Sequence, residues 1–329
     1  MQPALTMRND LVTVFGGSGF LGRHVVRALA KRGWRVRVAC RRPDLANFLV
    51  PSGLVGQIHA VQANLRYADS VARALDGASA VVNCVGILFE GGKQNFTAVQ
   101  ELGAKNIAQA AAKKGITNFV HISAIGADEK SDSAYAVSKA RGEKHVLENI
   151  HLARILRPSL LFGTEDNFFN KFASLARFLP FLPLIGGGKT RFQPVSVDDV
   201  AEAVALCLDG EVKPGAIYEL GGPDIKTFKE LLQLTLEETA RKRLLVPVPF
   251  MLAKLKAAFL QLLPNPLLTI DQVRLLQRDN IVSEKALIEE RTFDAFGIAP
   301  KSLASILPTY LWRYRKGGQF ADIASDSVR

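Results

Sequence analysis

Three glycines, Gly16, Gly19 and Gly22, stand between a short apolar run and a helical pattern. The segment reads Val12-Thr13-Val14-Phe15-Gly16-Gly17-Ser18-Gly19-Phe20-Leu21-Gly22, a GxxGxxG spacing. Each glycine answers a physical need. Gly16 permits a tight turn, Gly19 lets backbone approach a pyrophosphate, and Gly22 lets helix and strand pack closely. A helix opening there directs free N–H groups and its positive dipole end at phosphates. The seven residues from Gly16 to Gly22 (Gly16, Gly17, Ser18, Gly19, Phe20, Leu21, Gly22) are therefore expected to cradle a dinucleotide. A plain strand-to-helix joint could carry the same glycines, but this turn sits at the first strand of an alternating chain.

That alternation runs through the first half. Strand-like segments at Leu11–Phe15, Trp34–Cys40, Gln57–Gln62, Ala80–Cys84, Asn118–Ile122 and Leu152–Leu156 are separated by helix-like ones. The helical patterns cover Phe20–Arg32, Ser70–Leu75, Asn95–Lys114 and Ser133–Asn149, with Gly33 and Gly115 as stops. Six strands with helical crossovers predict an α/β fold, a Rossmann doubly wound parallel sheet.

After Pro158 the rhythm breaks. Asn167–Leu179 reads as a helix, Gly186–Gly188 as a loop, Val200–Leu208 as a helix capped by Asp198 and Asp199, and Ile217–Leu220 as a strand. From Lys226 the pattern is mainly helical with proline-rich joints. The expected division is a nucleotide-binding domain over 1–160, with 195–222 returning to it, and a smaller C-terminal domain over 161–194 and 223–329. A cleft between two such domains is where a substrate would sit.

With 329 residues, 48% apolar and 22% charged, the chain can bury a full core. The three cysteines, Cys40, Cys84 and Cys207, are far apart and form no CxxC pair, so neither a disulfide framework nor a metal site is expected. The net charge of +11 favours an acidic partner, such as nucleotide phosphates, an acidic protein face or an anionic membrane surface. The basic residues are scattered and build no nucleic-acid module, so no nucleic acid is expected. Only about ten residues precede Leu11, so no signal or transit peptide is expected. The richest apolar stretch, 246–268, is broken by Pro247, Pro249, Lys254, Lys256, Pro264 and Pro266, so no spanning helix is expected.

The end of the second strand selects among dinucleotides. An acidic side chain there bonds the adenine ribose of NAD, whereas this chain offers Cys40-Arg41-Arg42. Guanidinium groups at Arg41 and Arg42 suit a 2′-phosphate through charge and planar donor geometry, which points to NADPH. Two solvated loop arginines would look the same in sequence. Asn64 and Leu65, after the third strand, are placed to border the adenine. Cys84, Val85 and Gly86, after the fourth, would pass beneath the nicotinamide ribose.

A second constellation follows the fifth strand. Ser123 ends it, and Tyr135-Ala136-Val137-Ser138-Lys139 opens the next helix, with Tyr135 and Lys139 one turn apart on one face. An ammonium beside a phenol favours the phenolate, the lysine can bond a cofactor ribose, and the serine hydroxyl can polarise a carbonyl. Ser123, Tyr135 and Lys139 are thus the candidate catalytic residues for hydride transfer with a carbonyl or alcohol carbon. Asn106, in the preceding long helix, reads as helix surface or as a fourth member.

At these residues the chain resembles the short-chain dehydrogenase/reductase superfamily, in its extended or atypical branch, through Arg157-Pro158-Ser159 and on to Val195-Ser196-Val197-Asp198-Asp199-Val200. The resemblance adds Pro158 to the cofactor-facing positions. A narrower likeness runs from Arg157 through Asn167-Phe168-Phe169-Asn170-Lys171-Phe172-Ala173, Lys189-Thr190 and Gln193-Pro194-Val195 to Leu268-Thr269-Ile270-Asp271-Gln272-Val273. There the chain is similar to the nucleotide-binding accessory subunits of respiratory complex I, bacterial relatives included. That likeness implies tightly held NADPH, docking on complex I core subunits near the quinone site, and a peripheral position on the cytoplasmic face of a bacterial inner membrane or on the matrix side in mitochondria. It implies a structural or regulatory role in place of turnover. The chain departs from the wider superfamily at Asn64, where Asp is frequent, and at Asn83-Cys84-Val85-Gly86.

In the second half, Leu252, Leu255, Phe259 and Leu262 share a helical face edged by Lys254 and Lys256, and Arg313-Tyr314-Arg315-Lys316 adds basic surface. Such a face would meet an anionic membrane, a partner helix or its own domain. Three functions stay open: a complex I accessory subunit, a free NADPH-dependent reductase or epimerase, and a redox-sensing regulator that binds NADPH.

Overall fold

The computed structural model describes residues 7–263 and 266–318. They divide into two compact units, the first lying within Met1–Pro158, Val197–Leu220 and Val282–Ala299, the second within Ser159–Ser196, Gly221–Ile281 and Pro300–Arg329. Pro264, one of the expected helix breakers, lies outside the described residues.

Seven parallel strands form the sheet of the first unit: β1 (Leu11–Phe15), β2 (Arg35–Cys40), β3 (Ile58–Gln62), β4 (Ala80–Asn83), β5 (Asn118–Ile122), β6 (Arg154–Pro158) and β7 (Ile217–Leu220). Their order is β7-β6-β5-β4-β1-β2-β3. Chain order therefore reverses between β1 and β4, where Phe15 stands opposite Asn83. Every residue of β1 and β4 is buried, as expected of parallel strands covered on both faces.

One face carries α2 (Ala68–Ala74), α3 (Leu102–Lys113) and α4 (Ala134–Asn149), with Ile107, Ala111, Phe119, Val146 and Ile155 among the packed residues. On α1 (Phe20–Lys31), Val25, Val26 and Leu29 are fully buried, as are Val200 and Val204 on α5 (Val197–Asp209). Arg32 ties these two helices through Asp209 and Glu202.

Several boundaries differ from the sequence expectation. β6 runs two residues later than expected, and α3 is preceded by a π-helical turn at Thr97–Glu101. Asp198 and Asp199 do not cap α5 but lie inside its first turn, where carboxylates offset the positive end of the helix dipole; Asp198 also meets His24 at 2.6 Å. The 282–299 segment, expected with the C-terminal domain, packs in the first unit. Its Ser283 N–H donates to Glu219 Oε2 at 2.8 Å, and the Arg291 carbonyl accepts from Glu219 N–H at 3.0 Å.

The second unit has its own core of Phe162, Phe169, Phe192, Phe228, Leu231, Leu307 and their neighbours. Buried Asp166 accepts from the Tyr310 hydroxyl at 2.5 Å there. The expected helical run after Lys226 is interrupted by an extended segment, Leu244–Val248, paired in parallel with Phe181–Ile185. Pro247 explains it, because a ring without an N–H breaks a helix but is tolerated on a strand edge. Helix Phe250–Leu260 buries only Ala253 and Ala257. Among the described residues, no helix is long and apolar enough to cross a membrane.

Candidate functional site

The glycine turn is a backbone structure from end to end. Gly16 has a φ of +76°, its N–H donates to Ala39 O at 3.1 Å, and its carbonyl accepts from Gly19 N–H at 3.0 Å. A Cβ at Gly16 would come within 3.0 Å of Val85 and 3.2 Å of the Cys84 carbonyl carbon, so the turn lies directly against the segment after β4. A Cβ at Gly22 would collide with the Gly16 carbonyl oxygen and Gly17 Cα. Buried Gly17 faces Val14, Val26 and Val38. Gly19 caps α1 without a side-chain bond, and the first turn of α1 holds no acidic residue. Leu21 is buried against the core, and the Phe20 ring meets the His24 ring edge-on at 5.9 Å.

The two arginines after β2 are exposed but unlike in bonding. Arg42 clamps Asp44 with Nε to Oδ1 at 3.0 Å and Nη2 to Oδ2 at 2.7 Å, whereas the Arg41 side chain makes no hydrogen bond or ion pair among the described residues. After β3, Asn64 Oδ1 accepts from the Arg66 N–H at 3.2 Å, and Leu65 packs on Gly103 of α3. Asn106 Nδ2 donates to Leu65 O at 2.7 Å. Asn106 therefore braces the β3 loop, 41 residues away in sequence, and its bond is not to the candidate triad.

The segment after β4 is held by Asn83, which the sequence analysis names only as part of the loop, and by His121, which it does not single out. Asn83 Oδ1 accepts from Val85 N–H at 3.1 Å, and its Nδ2 lies 3.0 Å from Nδ1 of buried His121 on β5. Burial, with a further push from the Lys139 charge, takes His121 down to about 3, so the ring is neutral and accepts the Asn83 N–H. Two polar side chains ending adjacent apolar strands were the available signal. Cys84 N–H donates to Phe15 O at 2.9 Å, and apolar surroundings push its thiol up to about 12.

Lys139 comes to this segment from α4. A Cβ on Gly86 would lie 3.3 Å from Lys139 Nζ, and that nitrogen donates to Ile122 O at 3.1 Å, one residue before Ser123. Burial is the largest influence on this ammonium and lowers it to about 8, against the pull of Glu143 and Cys84. Glu143 is clamped by Arg157 at 2.8 and 2.6 Å. The Tyr135 ring centroid lies 5.9 Å from Lys139 Nζ and 5.8 Å from the Phe96 ring. Ser133 caps α4 by accepting from Ala136 N–H at 3.3 Å, which fixes where Tyr135 and Lys139 leave the helix. Pro158 ends β6, and its carbonyl accepts from Ile125 N–H at 3.1 Å.

These residues suit a dinucleotide on two grounds. The turn, the uncapped start of α1 and Gly86 keep side chains out of a path across the sheet switch point. The Ser123 hydroxyl is 3% exposed and has no hydrogen-bond partner among the described residues, which is the state of a group that awaits a ligand atom.

Comparison with known proteins agrees with this geometry. Residues 12–221 match the NAD dependent epimerase/dehydratase family. An Arabidopsis thaliana protein named NADH dehydrogenase [ubiquinone] 1 alpha subcomplex subunit 9, mitochondrial, is 35% identical over 97% of this chain and 81% of its own length. The NADH-ubiquinone oxidoreductase 40 kDa subunit, mitochondrial, of Neurospora crassa is 30% identical over 94% of this chain and 80% of its own. Among solved structures, a dTDP-glucose 4,6-dehydratase from Streptomyces venezuelae with NAD bound superposes with a TM-score of 0.68 at 23% identity, covering 92% of this chain and 96% of that one. The turn, the sheet order and these matches together place the chain in the NAD dependent epimerase/dehydratase family, an extended short-chain dehydrogenase/reductase fold.

Proposed function

We propose that this chain is an NADPH-holding accessory subunit of a complex I type NADH:ubiquinone oxidoreductase, docked peripherally at the membrane. The observation that carries the reading is the pair of relatives bearing complex I subunit names, 35% and 30% identical across 97% and 94% of the chain. Arg41, exposed after β2 where an NAD-selecting acid would stand, supports NADPH over NADH. The second unit supports docking at a surface. Helix Phe250–Leu260 turns Met251, Leu255 and Phe259 outward, Phe259 at 70% exposure, and Leu262 beyond it is 80% exposed. Residues 240–270 carry Arg241, Lys242, Arg243, Lys254 and Lys256 and no acid, the combination that anionic headgroups attract. Recovery of a tagged chain from detergent-solubilised membranes tests the reading: complex I core subunits and bound NADPH are expected with it. Recovery of the chain without those subunits would overturn it.

A second reading rests on the site itself. Ser123, Tyr135 and Lys139 are all present, and Lys139 links the strand end to the helix. In an oxidoreductase, bound NADPH would supply the hydride. Ser123 Oγ would hold a carbonyl oxygen, and Tyr135, with its ring beside the Lys139 ammonium, would move the proton. This reading expects NADPH consumption with a small carbonyl or sugar-nucleotide substrate that disappears in Tyr135→Phe. Consumption unchanged in that variant would rule it out.

A further inference from the structure

Asn83 and His121 are direct cross-strand neighbours at the ends of β4 and β5, and Asn83 also stands opposite Phe15, the residue before the glycine turn. Both side chains are buried. The Asn83 amide is engaged at both ends. Its Oδ1 accepts from Val85 N–H at 3.1 Å, and its Nδ2 lies 3.0 Å from His121 Nδ1. A backbone N–H can only donate, so Val85 fixes which end of the amide faces it. The amide nitrogen therefore faces the ring, Nδ1 is the acceptor, and the ring hydrogen sits on Nε2. Nε2 itself has no hydrogen-bond partner among the described residues, so the bond from Asn83 sets the tautomer. Beyond Val85 the same segment is held by Gln100, whose Nε2 donates to Ile87 O at 3.2 Å. Val85 in turn backs the glycine turn, since a Cβ on Gly16 would come within 3.0 Å of its Cγ2.

We propose that His121 is a positioning residue for the dinucleotide: through Asn83 it fixes the 84–86 segment on which the nicotinamide ribose would rest. It rests on the cofactor reading above. The hydrogen-bond inventory requires such a partner. An amide donates at one end and accepts at the other, so Asn83 can hold Val85 N–H and be held itself only if an acceptor stands across the sheet. Nδ1 of a neutral ring is that acceptor, and burial with the nearby Lys139 charge keeps the ring neutral. Without it, Asn83 Nδ2 is left as a buried donor that has lost its acceptor. The amide is then free to turn, and its nitrogen would meet Val85 N–H donor against donor. Released in that way, the 84–86 segment loses its fixed distance from the glycine turn on one side and from Lys139 on the other.

Equilibrium binding of NADPH and NADH to the full-length protein tests the proposal, with His121→Asn, His121→Gln and His121→Leu compared with the unaltered chain. Asparagine places an amide oxygen where Nδ1 stands, glutamine places its polar atoms where Nε2 stands, and leucine offers neither. His121→Asn is expected to stay within about threefold of the unaltered chain for both nucleotides, whereas His121→Gln and His121→Leu should weaken both by about tenfold or more. Thermal unfolding without nucleotide should give another order, because asparagine removes the most volume from a packed site. Affinities that follow thermal stability, with His121→Asn the weakest binder, would show a purely structural role and overturn the proposal. Nitrogen-15 NMR of the His121 ring in the unaltered protein gives a readout that needs no variant to fold. Hydrogen on Nε2 is expected, and hydrogen on Nδ1 would overturn the proposal equally. If the unaltered chain binds neither nucleotide, the cofactor reading itself fails and the proposal falls with it; normal binding with the wrong order of variants sinks the proposal alone.

Discussion

Lys139 Nζ donates to the Ile122 carbonyl at 3.1 Å, which joins the helix bearing Tyr135 to the strand end that presents Ser123. One hydrogen bond thus sets the spacing of two elements that share no local sequence. It also holds an ammonium in a site 4% exposed, beside a glycine whose missing side chain leaves room for it.

That burial has a consequence for stability against pH. Burial holds Lys139 down to about 8, whereas an unfolded lysine titrates at about 10.4. Between these values the unfolded chain holds the extra proton, so stability rises with pH across this window. Below it the protein carries the full cost of the buried ammonium, on the order of 3 kcal/mol. Denaturant unfolding of the native chain and of Lys139→Met at a series of pH values should show the native chain gaining on the variant from about pH 8 upward. A flat difference over that range would contradict the assignment.

Gly22 and Gly19 are expected to respond differently to alanine. At Gly22 the added carbon meets backbone atoms of Gly16 and Gly17, which cannot rotate away. Gly22→Ala should therefore lose about 1–3 kcal/mol of stability and most nucleotide affinity together. At Gly19 the added carbon meets only Gly16 O, at 3.2 Å, so Gly19→Ala should keep the fold and weaken nucleotide alone. Thermal unfolding with and without NADPH separates the two outcomes.

The asymmetry after β2 predicts unequal arginines. Arg41→Ala should weaken NADPH by about tenfold and leave NADH nearly unchanged, whereas Arg42→Ala should act more weakly because Asp44 already engages Arg42. Asp44→Asn should tighten NADPH by releasing that fork and removing a like charge. Equal effects of the two arginine variants, read by titration of NADPH fluorescence, would count against the assignment.

The outward residues of the second unit give a test that leaves the core alone. Leu255 is 58% and Phe259 is 70% exposed, so Leu255→Glu combined with Phe259→Glu should unfold at the same temperature as the native chain. Its sedimentation with anionic vesicles should fall by about tenfold or more, since each side chain contributes roughly 1.5–3 kcal/mol when buried. Binding to neutral vesicles as strong as to anionic ones would remove the role of the lysines and arginines.

Much of this protein is legible residue by residue. The turn from Gly16 to Gly22 declares itself because each requirement is local: no Cβ in a left-handed turn, none where backbone passes backbone, and a helix start beyond. β1 and β4 are readable as largely apolar runs, interrupted by Thr13 in one and ended by Asn83 in the other, because strands covered on both faces admit few polar side chains. Ser133 is visible as the start of α4, and with it the shared face of Tyr135 and Lys139.

Tertiary structure alone decided which distant residues meet. Asn106 reads as helix surface until the loop after β3 arrives to take its hydrogen bond, and His121 reads as a strand residue until Asn83 comes beside it. The 282–299 segment joins the first unit through Glu219, a partner 64 residues before Ser283. The physical reason is common to all three. Backbone conformation answers to near neighbours and is written in spacing and residue type, whereas ion pairs and buried hydrogen bonds depend on positions that no local pattern specifies.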